Sequence, residues 1–205
     1  TAAISIEDLI AQEDMVVTVT RSGYIKRNPV TLYTSQHRGG KGKTAMGTKS
    51  DDFVEHLFVA STHATFLFIT NFGKVYQAKV YELPMAGRSS LGKAIVNLLN
   101  FDEGEKLATV LTVDEFSENR YVVMATRKGR VKKTELMAYS RPRAGGLIGV
   151  KLADGDELIA ARITDGTQEI FLGSEGGKVI RFNEEDVRVM GRSSMGVRGM
   201  RIEEG

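Results

Sequence analysis

The sequence predicts an all-β, propeller-like fold with about four four-stranded blades, forming a single domain over residues 1–205. Two observations carry this. A strand–Gly turn–strand unit recurs at steps of 50, 56 and 48 residues between its turn glycines, Gly23, Gly73, Gly129 and Gly177. Long amphipathic helices are missing, and four short strands per roughly fifty residues is the signature of a propeller blade. Such a blade cannot bury both faces alone, so its neighbours complete the core.

The first strand of each unit is an apolar, β-rich run: Val16-Val17-Thr18-Val19-Thr20, Phe66-Leu67-Phe68-Ile69-Thr70, Tyr121-Val122-Val123-Met124-Ala125 and Glu169-Ile170-Phe171-Leu172-Gly173. Each meets its second strand at the turn glycine, as a tight hairpin requires. The second strands read Tyr24-Ile25-Lys26-Arg27, Lys74-Val75-Tyr76-Gln77, Arg130-Val131-Lys132-Lys133 and Lys178-Val179-Ile180-Arg181. At most two helical turns fit in the stretch after each hairpin, beginning at Pro29 in the first repeat. Nineteen residues after the turn glycine stands another glycine, Gly42, Gly92 or Gly196, with Gly149 as the third-repeat equivalent one residue later. A third strand is expected next, clearest in Ala94-Ile95-Val96-Asn97-Leu98-Leu99. A fourth follows an acidic turn, as in Leu57-Phe58-Val59-Ala60, Leu107-Ala108-Thr109-Val110-Leu111 and Leu158-Ile159-Ala160-Ala161. Residues 6–11 read as a turn and strand ahead of the first repeat. The repeats then span roughly 12–62, 63–112, 119–164 and 167–205.

Composition excludes several functions. There is no cysteine, hence no disulfide, zinc ribbon or thiol catalysis, and a reducing compartment is expected. No apolar run approaches the ~20 residues that span a bilayer, and no secretory leader opens the chain, which starts at Thr1 as a segment of a longer protein would. Gly42-Lys43-Thr44 ends like a phosphate-binding loop, but His37 stands where that motif requires Gly. His37, His56 and His63 have no metal-ligand spacing, so structural roles are expected. Neither a catalytic residue nor a metal or cofactor site is expected.

The net charge of +2 conceals an alternation. Residues 21–49 carry +7 and residues 120–151 carry +8, whereas residues 102–118 carry −5 and residues 152–169 carry −4. The densest cationic loop is Gln36-His37-Arg38-Gly39-Gly40-Lys41-Gly42-Lys43. Glycines there allow close backbone approach to a phosphate, and the cations displace counterions. Equivalent loops hold Arg88 and Lys93, Arg141, Arg143 and Lys151, and Arg192 and Arg198. Equivalent loops of a propeller lie at equivalent radius, so these bases predict a positive rim suited to a long curved polyanion.

The stretch Gln36-His37-Arg38-Gly39-Gly40-Lys41-Gly42 resembles the signature heptad of the DNA gyrase A C-terminal domain family, with His37 in place of the family's Arg. The resemblance runs through Val80-Tyr81-Glu82-Leu83-Pro84, Ile95-Val96-Asn97-Leu98-Leu99, Met124-Ala125-Thr126, Val131-Lys132-Lys133-Thr134 and Gly196-Val197-Arg198-Gly199 and covers essentially the whole chain. It implies the first four repeats of a six-bladed β-pinwheel whose blades exchange strands. It further implies double-stranded DNA as partner, and wrapping in support of ATP-dependent negative supercoiling. Assembly with the rest of the gyrase A protein and with the gyrase B protein is implied as well, in a bacterial, nucleoid-associated cytoplasmic enzyme. The catalytic tyrosine, ATP and Mg²⁺ would act elsewhere in that enzyme. Arg38, Lys41 and Lys43 are the principal expected DNA contacts, with Gly39, Gly40 and Gly42 shaping the loop, Gln36 and His37 among its DNA-binding residues, and Arg88, Lys93, Arg143, Arg192 and Arg198 extending the track. A topoisomerase IV C-terminal domain and a propeller scaffold for protein partners are the alternatives.

Overall fold

A computed structural model describes residues 3–33, 53–173 and 179–198. The chain forms two compact units, one of residues 1–66 with 78–100, the other of residues 67–77 with 101–205. The strands, in chain order, are β1 (Asp14–Thr20), β2 (Tyr24–Pro29), β3 (Val54–Ser61), β4 (Thr65–Thr70), β5 (Lys74–Lys79), β6 (Lys93–Ala94), β7 (Leu107–Val113), β8 (Tyr121–Thr126), β9 (Arg130–Glu135), β10 (Leu147–Ile148), β11 (Leu158–Thr164), β12 (Glu169–Gly173), β13 (Val179–Asn183) and β14 (Val197–Arg198). Among the described residues one short α-helix, α1 (Ile95–Leu98), lies between them.

The strands form four sheets with the orders β3-β1-β2-β6, β10-β5-β4-β7, β11-β8-β9-β14 and, among the described residues, β12-β13. Each four-stranded sheet is closed by a two-residue strand belonging to the next repeat. β6 pairs with β2, β10 with β5 and β14 with β9. Blade boundaries in sequence and sheet boundaries in space are therefore offset by one strand. The hairpin glycines Gly23, Gly73 and Gly129 adopt φ of +89°, +77° and +87°, as the turns demand; Gly177 lies outside the described residues.

Both faces of the first three hairpins are largely covered, whereas Phe171 and Val179 of the fourth are exposed. In the first unit all but Asp14 of β1 is buried, and Ile25, Val80, Leu83 and Ile95 join it in the core. In the second, Leu67, Ile69, Val122, Met124, Tyr139 and Val150 belong to one apolar cluster, and Val123, Ala125, Ile170, Leu172 and Phe182 to another. The long stretch after each hairpin begins with a single short 3₁₀ turn: Val30–Leu32, Val80–Glu82, Leu136–Tyr139 and Glu184–Asp186.

Three expectations are corrected. The third strand expected across residues 94–99 ends at Ala94. Ile95–Leu98 is instead a helical turn, with Ile95 buried and its methyl 3.5 Å from where a side chain on Gly23 would begin. Residues 6–11 form no strand; Glu7–Leu9 is a 3₁₀ turn bracketed by Ser5 and Asp8, which exchange side-chain and backbone hydrogen bonds. Finally, the third-repeat counterpart of Gly92 and Gly196 is Gly146, not Gly149. Lys93, Leu147 and Val197, each following one of these glycines, pair with Ile25, Val75 and Val131 at matching positions of their hairpins. Gly92, Gly146 and Gly196 have φ of +86°, +79° and +81°, whereas Gly149 is not left-handed. The third-repeat loop is thus Arg141-Pro142-Arg143-Ala144-Gly145-Gly146, which carries the bases ahead of the glycine as the other loops do.

At Gly92 an added Cβ would stand 2.2 Å from the Ile25 carbonyl oxygen and 2.8 Å from Lys26 Cβ. Gly87, five residues earlier, has open space and no left-handed φ. Gly92→Ala should therefore cost about 2 kcal/mol or more of unfolding free energy, combining left-handed strain with the backbone clash. Gly87→Ala should stay within about 0.5 kcal/mol of wild type. Urea unfolding of both variants checks this.

Candidate nucleic-acid interface

The basic loops lie just ahead of the closing strands, and buried side chains of the preceding hairpin hold them. Lys26, on β2, is fully buried. Its ammonium donates to the carbonyls of Gly87 (2.9 Å), Arg88 (3.0 Å) and Ser90 (2.8 Å). Lys132, at the same hairpin position on β9, donates to the Gly149 carbonyl (2.6 Å) and to that of Arg192. Burial pushes both ammonium groups down from their ordinary range, Lys132 to about 8 with Arg192 as a second, repulsive cause. In the middle repeat the position is Tyr76, packed under Gly146. Its hydroxyl donates to Glu105 at 2.8 Å, and burial raises its pKa, with that hydrogen bond adding to the rise.

The next hairpin residue reaches the following repeat's 3₁₀ turn. Arg27 donates to the carbonyls of Leu83 and Tyr81, Gln77 to that of Tyr139, and Lys133 to that of Glu184. Lys133 also pairs with the Glu184 carboxylate at 3.4 Å. Part of the sequence's positive charge is therefore internal. Lys26, Lys132 and Lys133 are 0%, 1% and 5% exposed and cannot face a ligand. Two acids of the negative blocks are internal as well. Glu105 accepts from Thr70 and Tyr76, and Asp156 caps the backbone of Lys128 and Glu157.

Other cations of the basic loops stay outside. Arg143 and Arg192, from successive loops of the second unit, line one open groove of about 430 Å³ together with Gly146, Leu147, Ile148 and Ser193. Tight turns hold both loops: the Gly146 amide donates to the Arg143 carbonyl at 2.9 Å, and the Ser194 hydroxyl to that of Gly191 at 3.0 Å. Lys93 and Arg198 are exposed on closing strands β6 and β14. Arg88 is placed differently. It is half-buried, with its guanidinium 4.9 Å from the Tyr33 ring centre and donating to the Leu32 carbonyl. The glycine-rich stretch Gln36, His37, Arg38, Gly39, Gly40, Lys41, Gly42 and Lys43 lies outside the described residues.

The buried lysine positions were missed in sequence because a basic residue on a half-polar strand reads as solvated. The available signal was their repetition: Lys26 and Lys132 both stand three residues after a turn glycine.

Sheets closed by the next repeat's strand, with a basic loop ahead of that strand, define a strand-exchanged, propeller-type repeat protein. Comparison narrows this. The profile of the DNA gyrase C-terminal domain, β-propeller, matches residues 14–61, 64–114, 120–165 and 168–205, and the chain belongs to that family. It is 50% identical over 201 residues to the DNA gyrase A protein of Salmonella typhimurium, covering 98% of this chain and 23% of that protein. With the Escherichia coli K12 gyrase A protein it is 48% identical over 204 residues, again covering 23% of the relative. The chain thus spans about a quarter of these relatives. Among solved structures it is similar to the C-terminal domain of DNA topoisomerase IV (TM-score 0.78, 33% identity, 96% of this chain and 59% of that one). It is also similar to a DNA gyrase A C-terminal domain (TM-score 0.71, 28% identity, 94% and 62%).

The depressed Lys132 ammonium fixes a pH dependence. In the fold it titrates near 8, against 10.5 for a free lysine. Between those values the unfolded chain binds more protons, so stability rises with pH. The stability of wild type relative to Lys132→Met should therefore increase from pH 7 to pH 10, read from urea midpoints at each pH.

Proposed function

We propose that this domain binds double-stranded DNA through phosphate contacts and bends it, serving a gyrase-type topoisomerase. The observation that carries this is the pairing of Arg143 and Arg192 along one open groove on turn-locked loops. Guanidinium groups are suited to phosphate oxygens, which they meet bidentately. No helix among the described residues is longer than α1, so those residues offer no recognition helix for a major groove, and contacts of this kind fix a path without reading bases. The glycine-rich stretch 36–43 supplies the densest further cations in the sequence, with Arg38, Lys41 and Lys43 as the main contacts. Lys93 and Arg198 extend the track as exposed cations, whereas Arg88 contributes less, its guanidinium being engaged by Tyr33 and Leu32.

In the full enzyme the domain would present a bent DNA segment as a positive crossover to the cleavage core, so that ATP-driven strand passage yields negative supercoils. Its partners there would be the remainder of the gyrase A protein and the gyrase B protein, in the bacterial cytoplasm near the nucleoid. Catalysis would reside outside this domain. The topoisomerase IV reading draws on the higher TM-score. The 50% identity to gyrase A proteins and the nearly complete heptad at residues 36–42 favour the gyrase reading.

Binding should be nearly blind to sequence and steep in salt. Contact with six to ten phosphates predicts a loss of roughly 10³–10⁵ in affinity between 50 and 200 mM salt, measurable by fluorescence anisotropy. Equal affinity at both salt levels contradicts phosphate neutralisation, and an unshifted duplex at low salt favours a protein scaffold. Replacing Arg38, Lys41 and Lys43 together by Ala should abolish bending, which costs on the order of 1–6 kcal/mol for a 20–30 base-pair site, while leaving weak straight binding. End-to-end fluorescence transfer on a labelled duplex separates the two outcomes.

A further inference from the structure

We propose that Lys26 and Lys132 are positioning residues for DNA contact: each ammonium clamps the basic loop of the following repeat by its carbonyls and thereby sets where that loop's cations point. The inference rests on the DNA-binding reading and assigns work to side chains that never touch DNA.

The two lysines hold equivalent positions and share the Arg88/Arg192 carbonyl as a partner. The lysine stands three residues after the hairpin glycine, on the strand that the next repeat's closing strand joins. Lys26 reaches the carbonyls of Gly87, Arg88 and Ser90. Lys132 reaches that of Arg192, the repeat counterpart of Arg88, and that of Gly149. A carbonyl drawn inward at residue 192 fixes the backbone from which the Arg192 side chain departs toward the groove it shares with Arg143. Since Lys132 also meets the Gly149 carbonyl, a single ammonium ties the loop of the fourth repeat to the segment just after the closing strand of the third.

Stability alone does not account for a lysine here. A methionine would fill a similar volume without desolvating a charge, and exchanging buried charged groups for well-packed apolar ones is often neutral or stabilising. What methionine cannot do is collect two or three carbonyls at one point. The middle sheet does without the clamp: Tyr76 replaces the lysine and turns its hydroxyl to Glu105 instead of the loop.

The test is a double-mutant cycle on DNA binding by the full chain, using wild type, Lys132→Met, Arg192→Ala and the double variant, with anisotropy of a labelled duplex read across a salt series. Arg192→Ala alone should lower the salt slope by roughly 0.9, the value of one phosphate contact. In the Lys132→Met background it should lower it no further, because the contact is already lost. Equal losses in both backgrounds mean additivity and overturn the clamp, leaving Lys132 a packing residue. A wild-type chain that fails to bind the duplex at low salt overturns the DNA reading and the clamp together. The other unit supplies a second measurement should Lys132→Met not fold. In Lys26→Met, amide exchange should speed up in residues 87–92 while β1 and β2 keep their protection; unchanged exchange in that loop overturns the proposal.

Discussion

The chain turns left-handed at Gly92, Gly146 and Gly196, each lying against the preceding hairpin, and the two residues that follow complete that hairpin's sheet. Contact is so close at Gly92 and Gly196 that a Cβ would sit 2.2 and 2.6 Å from the Ile25 and Val131 carbonyl oxygens. Only a glycine permits it, both for its φ and for its missing side chain. The remaining architecture follows from this packing. It fills the sheet edge beside β2, β5 and β9, which would otherwise expose unpaired backbone groups. It also brings the basic loops ahead of Gly92 and Gly196 under the hydrogen-bonding reach of Lys26 and Lys132 on the previous hairpins.

A sheet buried on both faces leaves its polar side chains to be satisfied from within. Glu184, fully buried, takes the Thr164 hydroxyl at 2.9 Å, the Gln168 amide at 2.9 Å and the Lys133 ammonium at 3.4 Å. Glu105 takes the Thr70 and Tyr76 hydroxyls at 2.6 and 2.8 Å. Burying a charge is costly unless it is paired and hydrogen-bonded, and these groups meet that condition. Their bonds run between strands, 3₁₀ turns and loops that are distant in sequence. Glu184 thereby connects the third and fourth repeats and Glu105 braces the second repeat's own hairpin, while Arg143, Lys93 and Arg198 stay exposed and Arg192 lines the groove.

The hairpins, their glycine turns and the fourth strands were legible because each rests on a local signal: a β-rich run, a glycine needing positive φ, an acidic turn before an apolar run. Strand exchange was not derivable from those signals. A two-residue strand such as Lys93–Ala94 has no periodicity of its own, and its partner lies about seventy residues away in sequence. The apolar run at residues 94–99 reads as a strand, yet the sheet takes only Ala94 and the rest turns helically to bury Ile95. Counting glycines in register misassigned Gly149, because the third-repeat loop differs in length and only strand pairing identifies Gly146. The cationic track was legible as charge but not as exposure: Lys26, Lys132 and Arg143 look alike in sequence, and only packing separates the clamps from the contacts.

Hydrogen exchange of the chain with and without a linear duplex of about 100 base pairs, below one persistence length, tests most directly whether the loops ahead of the closing strands are where DNA lies. Protection is expected in residues 36–43, 87–92, 141–146 and 191–196, with the centres of β1, β4 and β8 unchanged. Protection confined to the strands, or absent at a DNA concentration that saturates binding, would contradict it.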